Sequence, residues 1–361
     1  MITNLILPCF IFSQIIKNFH ISQYYLILTS LLGCSFLYLL GYYIGYFSMK
    51  LLGYTEKQSR FVGVIYSSPH TTSIPVILVG IIGPVLDKLT TIPAEIQLNA
   101  EQRAYLYIIL NSIFANIWKW SGCYYLIQPE EENEENNQEL ISYKKFDENN
   151  KIESNKSEEF NFNQFFKKII NVPLISCIIT LFITMFPSFQ SMFNDPAGIL
   201  NSSLVSVNIM VSKSYGFLVI FMLGITLYNT LSNSSENNNK NFLKGWFLIL
   251  VTLIKLVIMP LIAFPIIIYI FKYLIKGDDI MLFLFLFMAQ APSAINMVVI
   301  CTLKNAYEET LSMMMVAQYC ISIISLTIGT SLVLYIIGNL NGVDMGGNFA
   351  LQLLKLIGIN I

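Results

Sequence analysis

Charge is scarce in this chain. Asp, Glu, Lys and Arg make up 12% of its 361 residues, where a soluble domain carries about 25%. The deficit excludes a water-soluble globular protein. It accompanies 55% hydrophobic residues and a mean hydropathy of +0.62. The formal net charge is −1, so the basic surface that nucleic acid requires is missing. Cysteine pairing is missing too. Cys9, Cys34, Cys123, Cys177, Cys301 and Cys320 all lie in apolar stretches, and none forms a C-x-x-C pair. Neither a metal site nor a disulfide framework is indicated, and these residues read as small buried hydrophobes. The sequence shows no nucleophile–base pair, metal cluster or phosphate loop, so neither an enzyme nor a cofactor is expected.

What the chain does have is long apolar runs near the ~20 residues needed to cross hydrocarbon. They fall at roughly 2–18, 23–49, 60–86 and 103–127, then 168–187, 209–231, 244–271, 280–303 and 309–337. The expected fold is an all-α integral membrane protein with nine transmembrane helices, four before a hydrophilic loop and five after it. Residues 1–128 form an N-terminal helix repeat, and 129–166 a loop with the acidic run Glu130 to Glu135. Residues 167–340 form a five-helix repeat, and 341–361 a tail. The loop has too little apolar content for a core and is expected to be disordered, as is the shorter Ser232 to Asn241 tract. An inverted repeat needs an odd number of helices per half, so four plus five leads us to expect a further helix ahead of Met1. Gly41-Tyr42-Tyr43-Ile44-Gly45 is a GxxxG in the second span. It allows close helix contact, with a homodimer among the possibilities.

Lys50, Lys57, Arg60, Lys144, Lys145, Lys151, Lys156, Lys167, Lys168, Lys240, Lys244 and Lys304 fall on one side of the expected spans. Lys17, Lys88, Arg103, Lys213, Lys272, Lys276 and Lys355 fall on the other. The excess places the long acidic loop in the cytosol.

Two spans are interrupted by polar, proline-bearing patches, one in each half. The first reads Ser67-Ser68-Pro69-His70-Thr71-Thr72-Ser73-Ile74-Pro75 and the second Gln290-Ala291-Pro292-Ser293-Ala294-Ile295-Asn296. Lipid cannot hydrogen-bond a broken backbone, so such breaks survive only under protein or beside a water-filled cavity. A matched pair of discontinuous helices is the sequence pointer to the substrate site of an inverted-repeat transporter. Pro69, Pro75 and Pro292 break the helical ladder. His70, Thr71, Thr72, Ser73, Gln290, Ser293 and Asn296 stand ready for freed backbone groups or a ligand. The alternative is a pair of ordinary proline kinks satisfied by neighbouring helices. His70 admits two readings, a proton-coupling group or a satisfied structural histidine.

Every Asp and Glu falls in a loop or at a span end, whereas two lysines do not. Lys119, between Trp118 and Trp120, is expected to snorkel to the interface. Lys255, well inside its span, is either a structural partner for carbonyls or a source of positive potential for an anion. Positive helix ends and a lysine without a carboxylate favour an anionic substrate. They also favour uniport or potential-driven movement over carboxylate-based ion coupling, with sodium held by carbonyls alone left open.

These residues carry a resemblance. Asn4-Leu5-Ile6-Leu7-Pro8-Cys9-Phe10-Ile11-Phe12 resembles the second-helix motif of the auxin efflux carrier superfamily, most closely its PIN-LIKES (PILS) and fungal members. Ile74-Pro75-Val76-Ile77-Leu78 is similar to part of that family's fourth helix, and Ala291-Pro292-Ser293-Ala294-Ile295-Asn296 to its ninth. Lys255 with Pro260 matches the eighth. Val172-Pro173-Leu174 and Phe186-Pro187-Ser188-Phe189 match the sixth. The resemblance implies ten helices in two inverted five-helix repeats, the missing one here being the first. It also implies crossover of the fourth and ninth helices at Pro75 and Pro292, elevator-like exchange and anionic indole-type substrates. The implied location is the endoplasmic reticulum. The family's two fourth-helix asparagines are replaced by His70 and Ser73, and both glycines of that motif are lost, so auxin itself does not follow. The expected partners are the lipid bilayer and a small organic anion, contacted by His70, Thr71, Thr72, Ser73, Pro75, Gln290, Pro292, Ser293, Asn296 and Lys255. Two rivals stand beside this reading: a Na+- or H+-coupled symporter of bile-acid-transporter-like fold, and a non-transporting receptor or scaffold that works through the acidic loop.

Overall fold

A computed structural model describes residues 6–19, 24–90, 98–128, 172–214, parts of 217–228, 246–275, 277–304 and 306–343. The expected loop at 129–166, the Ser232 to Asn241 tract and all but the start of the tail lie outside the described residues. Among the described residues the regular structure is helical.

The N-terminal part contains α1 (Leu7–Asn18), α2 (Tyr24–Leu51), α3 (Glu56–Tyr66), α4 (Ser73–Leu89) and α5 (Ala100–Trp118). The last continues through a π turn at Lys119–Cys123. Capping boxes start α3, from Thr55 and Gln58, and α5, from Asn99 and Gln102. Each satisfies two of the amides that a helix start leaves open. Next come α6 (Val172–Thr184), α7 (Pro187–Asn194) and α8 (Ser206–Lys213). Then follow α9 (Trp246–Leu253), α10 (Met259–Tyr269), α11 (Asp279–Gln290), α12 (Met297–Lys304) and α13 (Glu308–Leu340). A π turn at Ile254–Ile258 joins α9 to α10, so the two form one span.

Three described helices are long and apolar enough to cross a membrane: Tyr25–Leu51, Trp246–Ile275 and Glu308–Leu340. A fourth span results if Ile175–Thr184 and Pro187–Asn194, bent by 105° at their break, count as one. The sequence led us to expect nine. The third and eighth expected spans are each divided in two, as α3/α4 and α11/α12. The first, fifth, sixth and seventh lie partly outside the described residues.

The centre of the fold is α11, which is buried from Ile280 to Gln290. A helix that is apolar on every side belongs inside. It is surrounded by α2, α4, α5, α10 and α13, while α1 packs with α6, α7 and α8 and touches α5. Outward-facing Leu28, Leu32, Leu39 and Phe47 of α2, and Ile323, Ile324 and Ile328 of α13, are exposed. Such an apolar exterior suits lipid rather than water.

The GxxxG of α2 is used inside the chain. A Cβ on Gly41 would come within 2.7 Å of the Tyr66 carbonyl oxygen, and one on Gly45 within 2.9 Å of the Gly63 Cα. Both glycines let α2 lie against α3 backbone to backbone. Gly45→Leu is expected to lower stability by about 1–3 kcal/mol through overpacking, read as a lower thermal midpoint of the detergent-purified chain.

A buried ionic cluster ties helix ends together. The Arg103 guanidinium is fully buried and donates to Asp278 Oδ1 at 2.7 Å and to Thr90 Oγ1 at 3.3 Å. Tyr107 donates to the other Asp278 oxygen at 2.6 Å. Asp278 also caps α11 by accepting from the Ile280 amide at 3.0 Å. Asn341 donates to Leu89 O at 3.0 Å and to Asp279 Oδ2 at 2.8 Å. The ends of α4, α5, α11 and α13 are thereby held in register.

Candidate functional site

The helix α3 stops at Tyr66 and α4 begins at Ser73, while α11 stops at Gln290 and α12 begins at Met297. The two gaps cross. The His70 amide donates to Pro292 O at 2.9 Å, and the Ala294 amide donates to Ser68 O at 2.8 Å. These bonds make an isolated antiparallel bridge between Pro69 and Ser293. Each gap thus satisfies backbone groups that the other leaves open, as a break at membrane depth requires.

Serines and a lysine complete the capping of α3. A helix end leaves four carbonyls without intrahelical partners. Gly63 O accepts from the Ser67 amide at 3.0 Å, and Val64 O from the Ser67 and Ser68 hydroxyls at 2.8 and 3.1 Å. Ile65 O accepts from Ser293 Oγ at 2.9 Å, and Tyr66 O from Lys255 Nζ at 2.7 Å. Ser293 is fixed from the other side by α13. Its amide donates to Gln318 Oε1 at 2.8 Å, and its carbonyl accepts from the Tyr319 hydroxyl at 3.2 Å.

The helix starts are left open. The amides of Ser73 and Ile74 at the head of α4, and of Ile295 and Asn296 ahead of α12, have no hydrogen-bond partner among the described residues. Both starts therefore present unpaired N–H groups and positive dipole ends. Buried side-chain atoms around the crossing are also unpaired: His70 Nδ1, Thr71 Oγ1, Gln290 Nε2 and Gln318 Nε2. Buried polar atoms in folded proteins are mostly paired, so four together mark this place.

The expected site residues take distinct positions. His70 and Thr71 are buried in the first gap, with the His70 ring edge-on to Tyr319 at 6.4 Å. Thr72 is half-buried and shares a hydrogen bond of 2.8 Å with Ser112. Ser73 opens α4. Pro292 and Ser293 are buried in the second gap, and Asn296 is exposed at its end. Gln290 is buried, and its amide rests against Gly329 of α13. The sequence reading set the crossing at Pro75 and Pro292. The backbone pairing instead runs through Pro69 and Pro292, and Pro75 sits in the first turn of α4. A proline there removes no intrahelical bond, because those amides have no helical acceptor.

Lys119 requires a second correction. It does not snorkel: it is 5% exposed and lies within electrostatic range of His70 and Cys123. Lys255 is 0% exposed. Among the described residues neither lysine forms an ion pair. Gln318 and Tyr319 were not singled out from the sequence. Gln318 carried a signal, a polar residue in mid-span. A cavity of about 610 Å³ opens elsewhere, at the Asp278 end of α11 beside Tyr25 and Lys272, and none of the crossing residues lines it.

The family model described as membrane transport protein matches residues 1–330. The chain belongs to this family. Its match to the membrane transport proteins is that of the auxin efflux carriers, so this protein is a membrane transporter and not an enzyme. An uncharacterized transporter of Schizosaccharomyces pombe is 21% identical over 362 residues, covering 84% of this chain and 80% of the relative. As a membrane transport protein, the chain is an integral membrane protein that takes a small-molecule substrate.

Proposed function

We propose that this membrane transport protein carries a small organic anion, an auxin-like or other aromatic carboxylate, by elevator-like alternating access. The carrying observation is the crossing of two helix breaks beside unpaired helix-start amides and a buried lysine. Thr71, Ser73, Ile74, Ile295 and Asn296 offer donors to a carboxylate. Ser293 ties the second gap to α3 and α13, Thr72 ties the first to Ser112, Gln290 and Pro292 line the second gap, and Pro75 lies in the first turn of α4 beside them. Lys255 and Lys119 add positive potential, and among the described residues neither is ion-paired with a carboxylate. The frame we propose is an inverted repeat of four plus five helices joined by a cytosolic loop, in the endoplasmic reticulum membrane. The helix α1 packs with α6, α7 and α8 and also against α5, and a homodimer is one assembly that this frame allows. The test is flux of labelled indole-3-acetate and benzoate into proteoliposomes. Saturable uptake that responds to membrane potential supports the reading, and uptake equal to empty liposomes refutes it.

One observation favours a second reading, proton coupling. His70 Nδ1 is buried without a partner, and histidine is the side chain that titrates near neutral pH. On our reading His70 is structural, so His70→Gln keeps the pH profile of flux. A flattened profile would establish coupling instead.

A further inference from the structure

We infer that a phosphatidylethanolamine-type lipid seats between α2 and the end of the α10 span, with its headgroup in the cavity beside Lys272 and an acyl chain in the apolar groove that adjoins it. This second, lipid-facing site stands apart from the carrier reading above.

The helix α10 continues into a π turn, Ile270–Ile275, and its span ends there. Two hollows meet at that turn. One is the cavity of about 610 Å³, whose polar lining is Tyr25, Thr29, Lys272, Asp278, Asp279 and Asn341. The other is a groove of about 230 Å³ lined by apolar residues alone, among them Leu32 and Phe36 of α2, Ile267 and Ile270 of the α10 span, and Phe285 of α11. Phe271 and Ile275 line both, so the hollows adjoin. A Cβ on Gly33 would come within 2.4 Å of Phe285 Cζ, so only glycine admits that ring between α2 and α11. The depths agree with a lipid. Tyr25 opens the α2 span and Ile275 closes the α10 span, which puts the cavity at the polar boundary of the bilayer. Leu32 and Phe36 lie about 10 and 16 Å further along α2 at the helical rise, within the hydrocarbon. A polar hollow at headgroup level that passes into an apolar groove at chain level has the form of a phospholipid.

The charges select the headgroup. Three charged side chains line the cavity: Lys272, Asp278 and Asp279. Arg103 answers Asp278, which leaves one cation and one carboxylate. The Lys272 ammonium donates to Leu340 O at 3.3 Å, its one partner among the described residues. Its remaining N–H donors suit a phosphate. Asp279 accepts from Asn341 at 2.8 Å, and a carboxylate with a side-chain amide beside it suits an ammonium. A zwitterionic headgroup meets both charges favourably. A purely anionic headgroup meets attraction from Lys272 and repulsion from Asp279. Between the zwitterions, ethanolamine carries N–H groups to donate to Asp279, whereas the quaternary nitrogen of choline carries none.

The experiment needs no transport substrate. The full chain is purified in detergent, washed free of native lipid, and followed by native mass spectrometry and thermal melting. Dioleoyl-phosphatidylethanolamine, its choline and glycerol counterparts, and O-phosphoethanolamine as the free headgroup are added separately. The ethanolamine lipid is expected to form a one-to-one adduct and to raise the midpoint, as a ligand of the folded state does. The other three are expected to raise it less or not at all. Lys272→Ala is expected to weaken the adduct about tenfold, the loss of a hydrogen bond to a charged group. Leu32→Trp changes a residue that is 56% exposed and plugs the groove. It is expected to abolish the adduct while the lipid-free midpoint stays at the wild-type value. Equal stabilisation by the choline or glycerol lipid overturns the headgroup assignment. An equal response to O-phosphoethanolamine overturns the role of the groove. An adduct unchanged in both variants places the lipid elsewhere and overturns the inference. If Lys272→Ala cannot be purified, the lipid series and Leu32→Trp still decide. Flux of indole-3-acetate is read separately, so failure of the lipid site leaves the carrier reading standing.

Discussion

Proteoliposomes containing Asn296→Ala will show no substrate-dependent flux, although the protein is made and folded at the wild-type level. Asn296 is exposed at the head of α12, and no described residue accepts or donates a hydrogen bond to its side chain. Its removal therefore leaves no buried group unpaired, and surface changes of that kind shift stability by within about 0.5 kcal/mol. The same position is the exposed end of the second gap, next to the free amides of Ile295 and Asn296. A side-chain amide there suits a carboxylate approaching the helix start. Loss of flux with an unchanged melting midpoint assigns Asn296 to the substrate. Unchanged flux removes it from the site.

Arg103→Ala will destabilise the protein far more than any surface change, by about 3–5 kcal/mol, because it leaves a buried charge without its partner. The stranded group is Asp278, whose two oxygens now accept from Arg103, Tyr107 and the Ile280 amide. Arg103→Lys will not restore the wild type, since a lysine cannot reach both Asp278 and Thr90 through a planar fork. Arg103→Leu combined with Asp278→Asn will cost less than the sum of the two single changes, as coupled residues do. Denaturant midpoints of the four proteins measure this. Additive losses would show that the pair is not coupled.

The two interruptions could be read from the sequence because proline and small polar residues inside a lipid-length apolar run have few physical explanations. Lys255 stood out for the same reason, a charge where hydrocarbon was expected. The finer pairing could not be read. Proline at 69, 75 or 292 breaks the helical pattern equally well on paper. Only the crossing backbone shows that Pro69 faces Ser293 while Pro75 lies harmlessly in a first turn. Arg103 looked like a span-end charge because its partner Asp278 is 175 residues away. Lys119 between two tryptophans had the composition of a snorkelling residue, yet it is buried at the start of the π turn Lys119–Cys123. Gly41 and Gly45 signalled a close helix contact correctly, but a GxxxG cannot say whether the facing helix belongs to another chain or, as here, to α3.

Cryo-electron microscopy of the full chain with indole-3-acetate tests the central claim most directly. The account predicts residues 68–70 paired with 292–294, and the ligand carboxylate within about 3 Å of the amides that open α4 and α12. Continuous helices through both proline patches, or a carboxylate bound away from both helix starts, would contradict it.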